Sequence, residues 1–182
     1  LFETEDESNF KYVVFFTIAL YTGFRRGELL GLEWDDFDWD NNIVTISRTS
    51  NWTKEKGVYT DTPKTASSMR SLKIPSELVS LIKKYKLWQE NYKASIGNKW
   101  VESNRLFTQW DGKPMDPSAP YYYFQAFCKR NNIRFCNIHS FRHHNNMKTY
   151  LSNFEVYKQI YLPAKQPLMC QHKRGCFLIN RV

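Results

Sequence analysis

Two arginines and a histidine stand in otherwise apolar, helix-like segments: Arg25 in Thr22-Gly23-Phe24-Arg25-Arg26-Gly27-Glu28-Leu29-Leu30, and His139 with Arg142 in His139-Ser140-Phe141-Arg142-His143. Guanidinium groups stay charged at any working pH and match the non-bridging oxygens of a phosphate in shape, so the two blocks point to a phosphate site. Arg25 precedes Glu28 by three residues, close enough on one helix face for the carboxylate to orient the guanidinium or the neighbouring backbone. His139 and Arg142 lie one helical turn apart and would face one pocket. An arginine at a helix start is by itself an ordinary solvated residue, and a lone histidine is more often structural. The Thr-Gly and Glu28 around the first, and the His-x-x-Arg-His setting of the second, are what favour function.

The elements that must hold these side chains can be read from pattern. Residues 10–20 read as a buried helix, and after the Tyr21-Thr22-Gly23 break a second helix covers 26–34. Residues 38–42, rich in Asp and Asn, turn the chain because those side chains bond their own backbone. Alternation over 43–48 predicts a strand, and short strands at 58–62 and 71–74 would complete a small sheet, with Pro63 and Ser67-Ser68 marking the connection. Pro75-Ser76 opens a long amphipathic helix reaching about residue 92, with Ser76 as N-cap. Residues 104–108 read as extended, Asp116-Pro117 opens a helix towards Arg130, and 139–150 read as helical. The aromatic run Tyr121-Tyr122-Tyr123-Phe124 reads as core with one exposed edge. The expected fold class is mainly α with a small three-stranded antiparallel β-sheet.

Composition bounds the partners. The 182 residues suffice for one domain with a sizeable core, or one domain and a short appendage, and 13 Phe, 11 Tyr and 6 Trp supply that core. A formal net charge of +8 favours a polyanionic partner, although the first forty residues are acid-rich and the basic residues gather from Arg48 onward. The longest apolar runs are too short to span a bilayer and no signal-peptide pattern is present, so a cytoplasmic protein with no membrane partner is expected. Four irregularly spaced cysteines do not make a disulfide framework, and Cys170, His172 and Cys176 lack a fourth ligand for zinc. No metal and no cofactor are expected.

Three ordered blocks then carry a resemblance: residues 22–34, Thr62-Pro63-Lys64-Thr65 with Arg70-Ser71-Leu72-Lys73-Ile74-Pro75, and His139-Ser140-Phe141-Arg142-His143. Together they resemble the catalytic domain of tyrosine recombinases, more narrowly the integrases of phages and conjugative transposons, over roughly residues 8–150. The resemblance implies a site-specific DNA recombinase that integrates or excises a mobile element by transesterification at a DNA phosphodiester. It selects Arg25 over Arg26, and makes Arg25 and Arg142 the phosphate clamp. Lys64 becomes the general acid for the leaving 5′ oxygen, and His139 a proton donor or phosphate hydrogen-bonder. His143 buttresses the helix. Arg48, Lys54, Lys56, Arg70 and Lys73 fall by default to solvent or to backbone-phosphate contacts. Double-stranded DNA is the implied partner, with room for a homo-oligomer on DNA.

The resemblance stops at about residue 144. The family places a further His or Trp and then a nucleophilic tyrosine beyond the second arginine. Here Tyr150, Tyr157 and Tyr161 come too early, while His172 comes late with no tyrosine after it. The nucleophile is therefore unassigned, in cis or in trans from a neighbouring protomer. Residues 1–150 read as a catalytic-like domain without the family's usual N-terminal DNA-binding domain, and 151–182 as an atypical tail, frameshifted, truncated or divergent. The competing readings are a noncatalytic DNA-binding remnant of an integrase and a basic helical interaction module.

Overall fold

Helix α1 (Glu3–Thr22) is buried on every side from Val13 to Ala19, the mark of a helix packed all round rather than laid on a surface. The computed structural model describes residues 3–61, 69–132 and 134–135, with side chains from Asn9 onward. Val14 and Phe15 have no accessible surface at all. One face of α1 meets α3 (Ser76–Ile96), where the Phe10 ring stands edge-on to Tyr85 at 5.6 Å and to Trp88 at 6.2 Å. Another meets α4 (Ala119–Arg130), where Tyr12 stacks on Tyr123 at 4.0 Å and Phe16 lies against Phe124 at 5.1 Å. In the run 121–124, expected as core with one exposed edge, Tyr121, Tyr123 and Phe124 are half-buried and Tyr122 is exposed.

The short helix α2 (Arg26–Gly31) comes directly after α1 and buries Leu29 and Leu30. The expected helix over 26–34 stops early, because Leu32 is extended and its carbonyl accepts the Leu106 amide at 2.9 Å; a single 3-10 turn, Trp34–Asp36, comes after it. Gln89 of α3 ties this region down, accepting from Trp34 Nε1 at 2.9 Å and donating to the Leu106 carbonyl at 3.1 Å.

The three-stranded antiparallel sheet is present, with a different membership from that expected. Strands β1 (Phe37–Asp38), β2 (Ile43–Ile46) and β5 (Arg70–Lys73) form it in the order β1-β2-β5, with Val44 opposite Leu72 and Ile46 opposite Arg70. Between them β3 (Thr49–Thr53) and β4 (Gly57–Asp61) make a separate two-stranded hairpin. The strand expected at 58–62 thus pairs with 49–53 and not with the main sheet. Gly57, at φ +65°, returns the chain straight onto β3, and β4 pairs with it along its whole length, from Gly57 opposite Thr53 to Asp61 opposite Thr49.

Two helix starts also differ. Pro75 occupies the N-cap of α3, and Ser76 is its first residue, with Oγ directed to Glu77 Oε2 at 3.4 Å. Asp116 does accept the Ser118 amide at 2.7 Å, but α4 begins at Ala119, with Pro120 rather than Pro117 in its first turn.

Candidate functional site

The Thr22-Gly23 pair ends α1 and aims the next residues. Thr22 Oγ1 donates to the Ile18 carbonyl at 2.7 Å and accepts the Phe24 amide at 3.2 Å. Gly23 donates its amide to the Ala19 carbonyl at 2.9 Å and sits at φ +62°, a left-handed conformation that favours glycine at a helix end. Phe24 is then buried as an anchor, and Arg25 enters α2 in an extended conformation at φ −69°, ψ 151°.

Glu28 organises the start of α2. Its side chain is only 5% exposed, and both oxygens are fully engaged. Oε2 accepts the Arg25 backbone amide at 2.7 Å and Arg70 Nη2 at 2.8 Å; Oε1 accepts Arg25 Nη1 at 2.9 Å and Arg70 Nη1 at 3.1 Å. Arg25 offers no acceptor, so this helix start is capped from inside by Glu28 rather than by its N-cap side chain. The Arg70 guanidinium lies over the Phe24 ring at 5.1 Å, which fixes the plane of the fork it presents to Glu28. Arg70, expected by default to face solvent or DNA backbone, is instead held by this carboxylate. Arg25 keeps 57% of its side chain exposed, so its position is set while its outer face stays open.

Burial alone would raise the Glu28 pKa. Hydrogen bonds from Arg70 and from the Arg25 backbone and side chain, with the Arg70 charge, outweigh it and hold the carboxyl below its ordinary value of 4.5. The folded state then binds that proton more weakly than the unfolded chain. Its contribution to stability is present above pH 4.5 and is lost as pH falls through the depressed folded-state value. In denaturant titrations, the stability margin of the wild type over Glu28→Gln is expected to shrink on acidification through this window. A margin constant from pH 7 down to about pH 3 would rule this reading out.

Two glycines bring α2 against the hairpin. A Cβ on Gly31 would lie 2.7 Å from the Arg48 carbonyl oxygen and 3.1 Å from Thr49 Cα, and one on Gly27 would lie 3.1 Å from the Ser50 carbonyl oxygen. Helix backbone and strand backbone therefore touch, with no side chain between them. Arg105, 6% exposed, closes the far end: Nη1 donates to the Gly31 carbonyl at 2.6 Å, Nη2 to Thr60 Oγ1 of β4, and Nε faces Glu33 Oε1 at 3.6 Å. Arg48, also expected at the surface, pairs with Asp36 at 2.7 Å and Glu33 at 2.9 Å. One ion-pair network thus joins the end of α2, the start of β3 and the segment around residue 105.

Of the site residues expected from sequence, the structure places Arg25, in the Glu28 cluster. Arg26 is exposed and turns elsewhere, lining a cavity of about 480 Å³ with Asn51, Trp52, Tyr59 and Ser118. Lys54 and Lys56 lie exposed at the hairpin turn, and Lys56 Nζ sits 5.3 Å from the Tyr59 ring centre. Lys64, His139 and Arg142 lie outside the described residues, as do Tyr150, Tyr157, Tyr161, His172, Cys170 and Cys176. Lys64 belongs to the connection between β4 and β5, whose described ends are Asp61 and Met69. Sequence reasoning missed Arg70, Gly31 and Arg105 as parts of the site's frame. Among the described residues, no helix is long and apolar enough to cross a membrane.

Residues 1–154 match the model of the phage integrase family. The chain is similar to the ICEBs1 integrase of Bacillus subtilis (strain 168), 30% identical over 139 residues, covering 76% of this chain and 37% of that protein. It is also similar to a XerC-like tyrosine recombinase of Caldanaerobacter subterraneus subsp. tengcongensis, 30% identical over 139 residues, covering 70% of this chain and 36% of that protein. The chain thus spans just over a third of the length of these relatives. Its fold is similar to that of the Tn1549 transposon integrase in complex with circular intermediate DNA, with a TM-score of 0.60 at 23% identity over 85% of this chain and 51% of that one.

Proposed function

Because the chain belongs to the phage integrase family, we propose that it carries the phosphate-binding centre of a site-specific DNA recombinase acting on double-stranded DNA in the cytoplasm, in integration or excision of a mobile element. The observation that carries this reading is the Glu28-anchored, outward-facing Arg25 directly after the Thr22-Gly23 turn, a cation fixed in place yet open to a ligand. In this proposal a tyrosine hydroxyl attacks the phosphorus, the 5′ oxygen leaves with a proton, and the 3′-phosphotyrosyl link is later reversed by a 5′ hydroxyl of the partner strand. Arg25 and Arg142 stabilise the charge that builds on the non-bridging oxygens, Lys64 protonates the leaving oxygen, and His139 binds the phosphate or moves a proton. Exchange between two duplexes calls for more than one copy on DNA.

A duplex nicked just beyond the cleavage point, so that the released strand end diffuses away, provides the test. The expected result is a covalent protein–DNA adduct that one Tyr→Phe substitution abolishes. Salt-sensitive binding without an adduct would instead make the chain a noncatalytic DNA-binding protein. No binding at low salt by a folded sample would overturn both.

A further inference from the structure

Glu28 is shared by two arginines, and that sharing has an electrostatic consequence. A carboxylate paired with one guanidinium makes a closed, neutral couple with little left to attract an anion. Here the cluster holds two positive charges against one negative, and the two cations are unequal in access. Arg70 engages both carboxylate oxygens through Nη1 and Nη2, packs on Phe24, and is fixed at the start of β5 opposite Ile46. Arg25 gives Glu28 a single side-chain hydrogen bond through Nη1 and keeps 57% of its side chain exposed, against 36% for Arg70.

We propose that Arg70 is a positioning residue that neutralises Glu28, so that Glu28 can orient Arg25 without cancelling the charge Arg25 offers to a DNA phosphate. The proposal rests on the reading of Arg25 as a phosphate ligand. Without Arg70, both oxygens of a buried carboxylate would have only Arg25 to satisfy them, and the guanidinium would be drawn inward. The same contact joins the helix of Arg25 to the strand that comes after the Lys64 segment, two parts of the chain 42 residues apart at Glu28 and Arg70.

The test is the salt dependence of binding of the full chain to a mixed-sequence DNA duplex, with folding of each variant checked by thermal melting. Arg25→Met is expected to weaken binding roughly tenfold at low salt and to lower the slope of log K against log salt by about one, the loss of one phosphate contact. Arg70→Met is expected to do nearly the same although Arg25 is intact, and the double variant to be little worse than either. Glu28→Gln added to Arg70→Met is expected to restore the slope, because the charge that cancels Arg25 is gone. A residue with a merely structural role would make that pair worse, not better. Arg70→Lys, which keeps the charge at least cost to the fold, is expected to keep the slope.

Additive losses from Arg25→Met and Arg70→Met would show Arg70 touching phosphate on its own account and overturn the proposal. So would an unchanged slope in Arg70→Met, a lost slope in Arg70→Lys, or no restoration by Glu28→Gln. An unchanged slope in Arg25→Met would instead remove Arg25 as a phosphate ligand, and this proposal with it.

Discussion

Arg105→Ala is expected to destabilise the fold by about 2–4 kcal/mol, from the loss of a charge-assisted hydrogen bond to a buried carbonyl and from the cavity its stem leaves. Arg105 is nearly inaccessible, and its three contacts go to two separate pieces of chain: the last carbonyl of α2 with Glu33 just beyond it, and Thr60 in β4. Alanine would leave the Gly31 carbonyl without its charged donor and open a void the length of an arginine stem. Glu33 would retain Arg48 at 2.9 Å, which places the expected loss towards the lower end of the range. Urea unfolding at neutral pH checks this, with Arg105→Lys as comparison: lysine restores charge but not a fork that reaches three acceptors, so it should recover only part of the loss. A loss under about 1 kcal/mol for alanine would mean that the network behaves as an exposed pair.

Arg105 also shows where reading the sequence ends. The Arg25–Glu28 pair was legible because residues on one helix turn fix their own geometry. The Thr22-Gly23 break was legible for the same reason, since glycine's left-handed conformation is local. Arg70 is separated from Glu28 by 42 residues and reaches it only through the register that sets Ile46 opposite Arg70. No spacing rule contains that register. Strand β2 announced itself by alternation, whereas β3, Thr49-Ser50-Asn51-Trp52-Thr53, is mostly polar and carries no such signal. What makes β3 a strand is its partner β4 and the helix backbone pressed onto it, both tertiary facts.

The charged residues after Arg48 show the same limit from the other side. Composition assigns Arg48, Arg70 and Lys73 alike to a basic surface, yet Arg48 and Arg70 are consumed by Asp36, Glu33 and Glu28, while Lys73 remains exposed. Part of the acid-rich opening segment is therefore the internal counter-charge of the basic one. Net charge alone overstates how many cations are available to a polyanion; the free ones must be identified by their partners.

Gly31→Ala is expected to cost about 1–3 kcal/mol, and Gly31→Val more, even though alanine is the better helix former by about 1 kcal/mol. The added Cβ would meet the Arg48 carbonyl oxygen at 2.7 Å and the Arg48 carbonyl carbon and Thr49 Cα at 3.1 Å, all of them backbone atoms. These atoms are main chain at the entry to β3 and cannot rotate away as a side-chain tip can, so α2 and the entry to β3 must separate. Gly27 provides the internal control. Its Cβ would meet one carbonyl oxygen at 3.1 Å, a contact relieved by a few tenths of an ångström, and the helix preference for alanine offsets much of the strain. Gly27→Ala is therefore expected to be near neutral in stability. The ranking reaches the proposed chemistry as well: separation at Gly31 would tilt the helix that carries Arg25 and Glu28 away from Arg70, so Gly31→Ala should weaken DNA binding at temperatures where it remains folded. Thermal melting and DNA titration of the two alanine variants side by side test both statements, and equal stability losses at the two positions would sink the close-approach explanation.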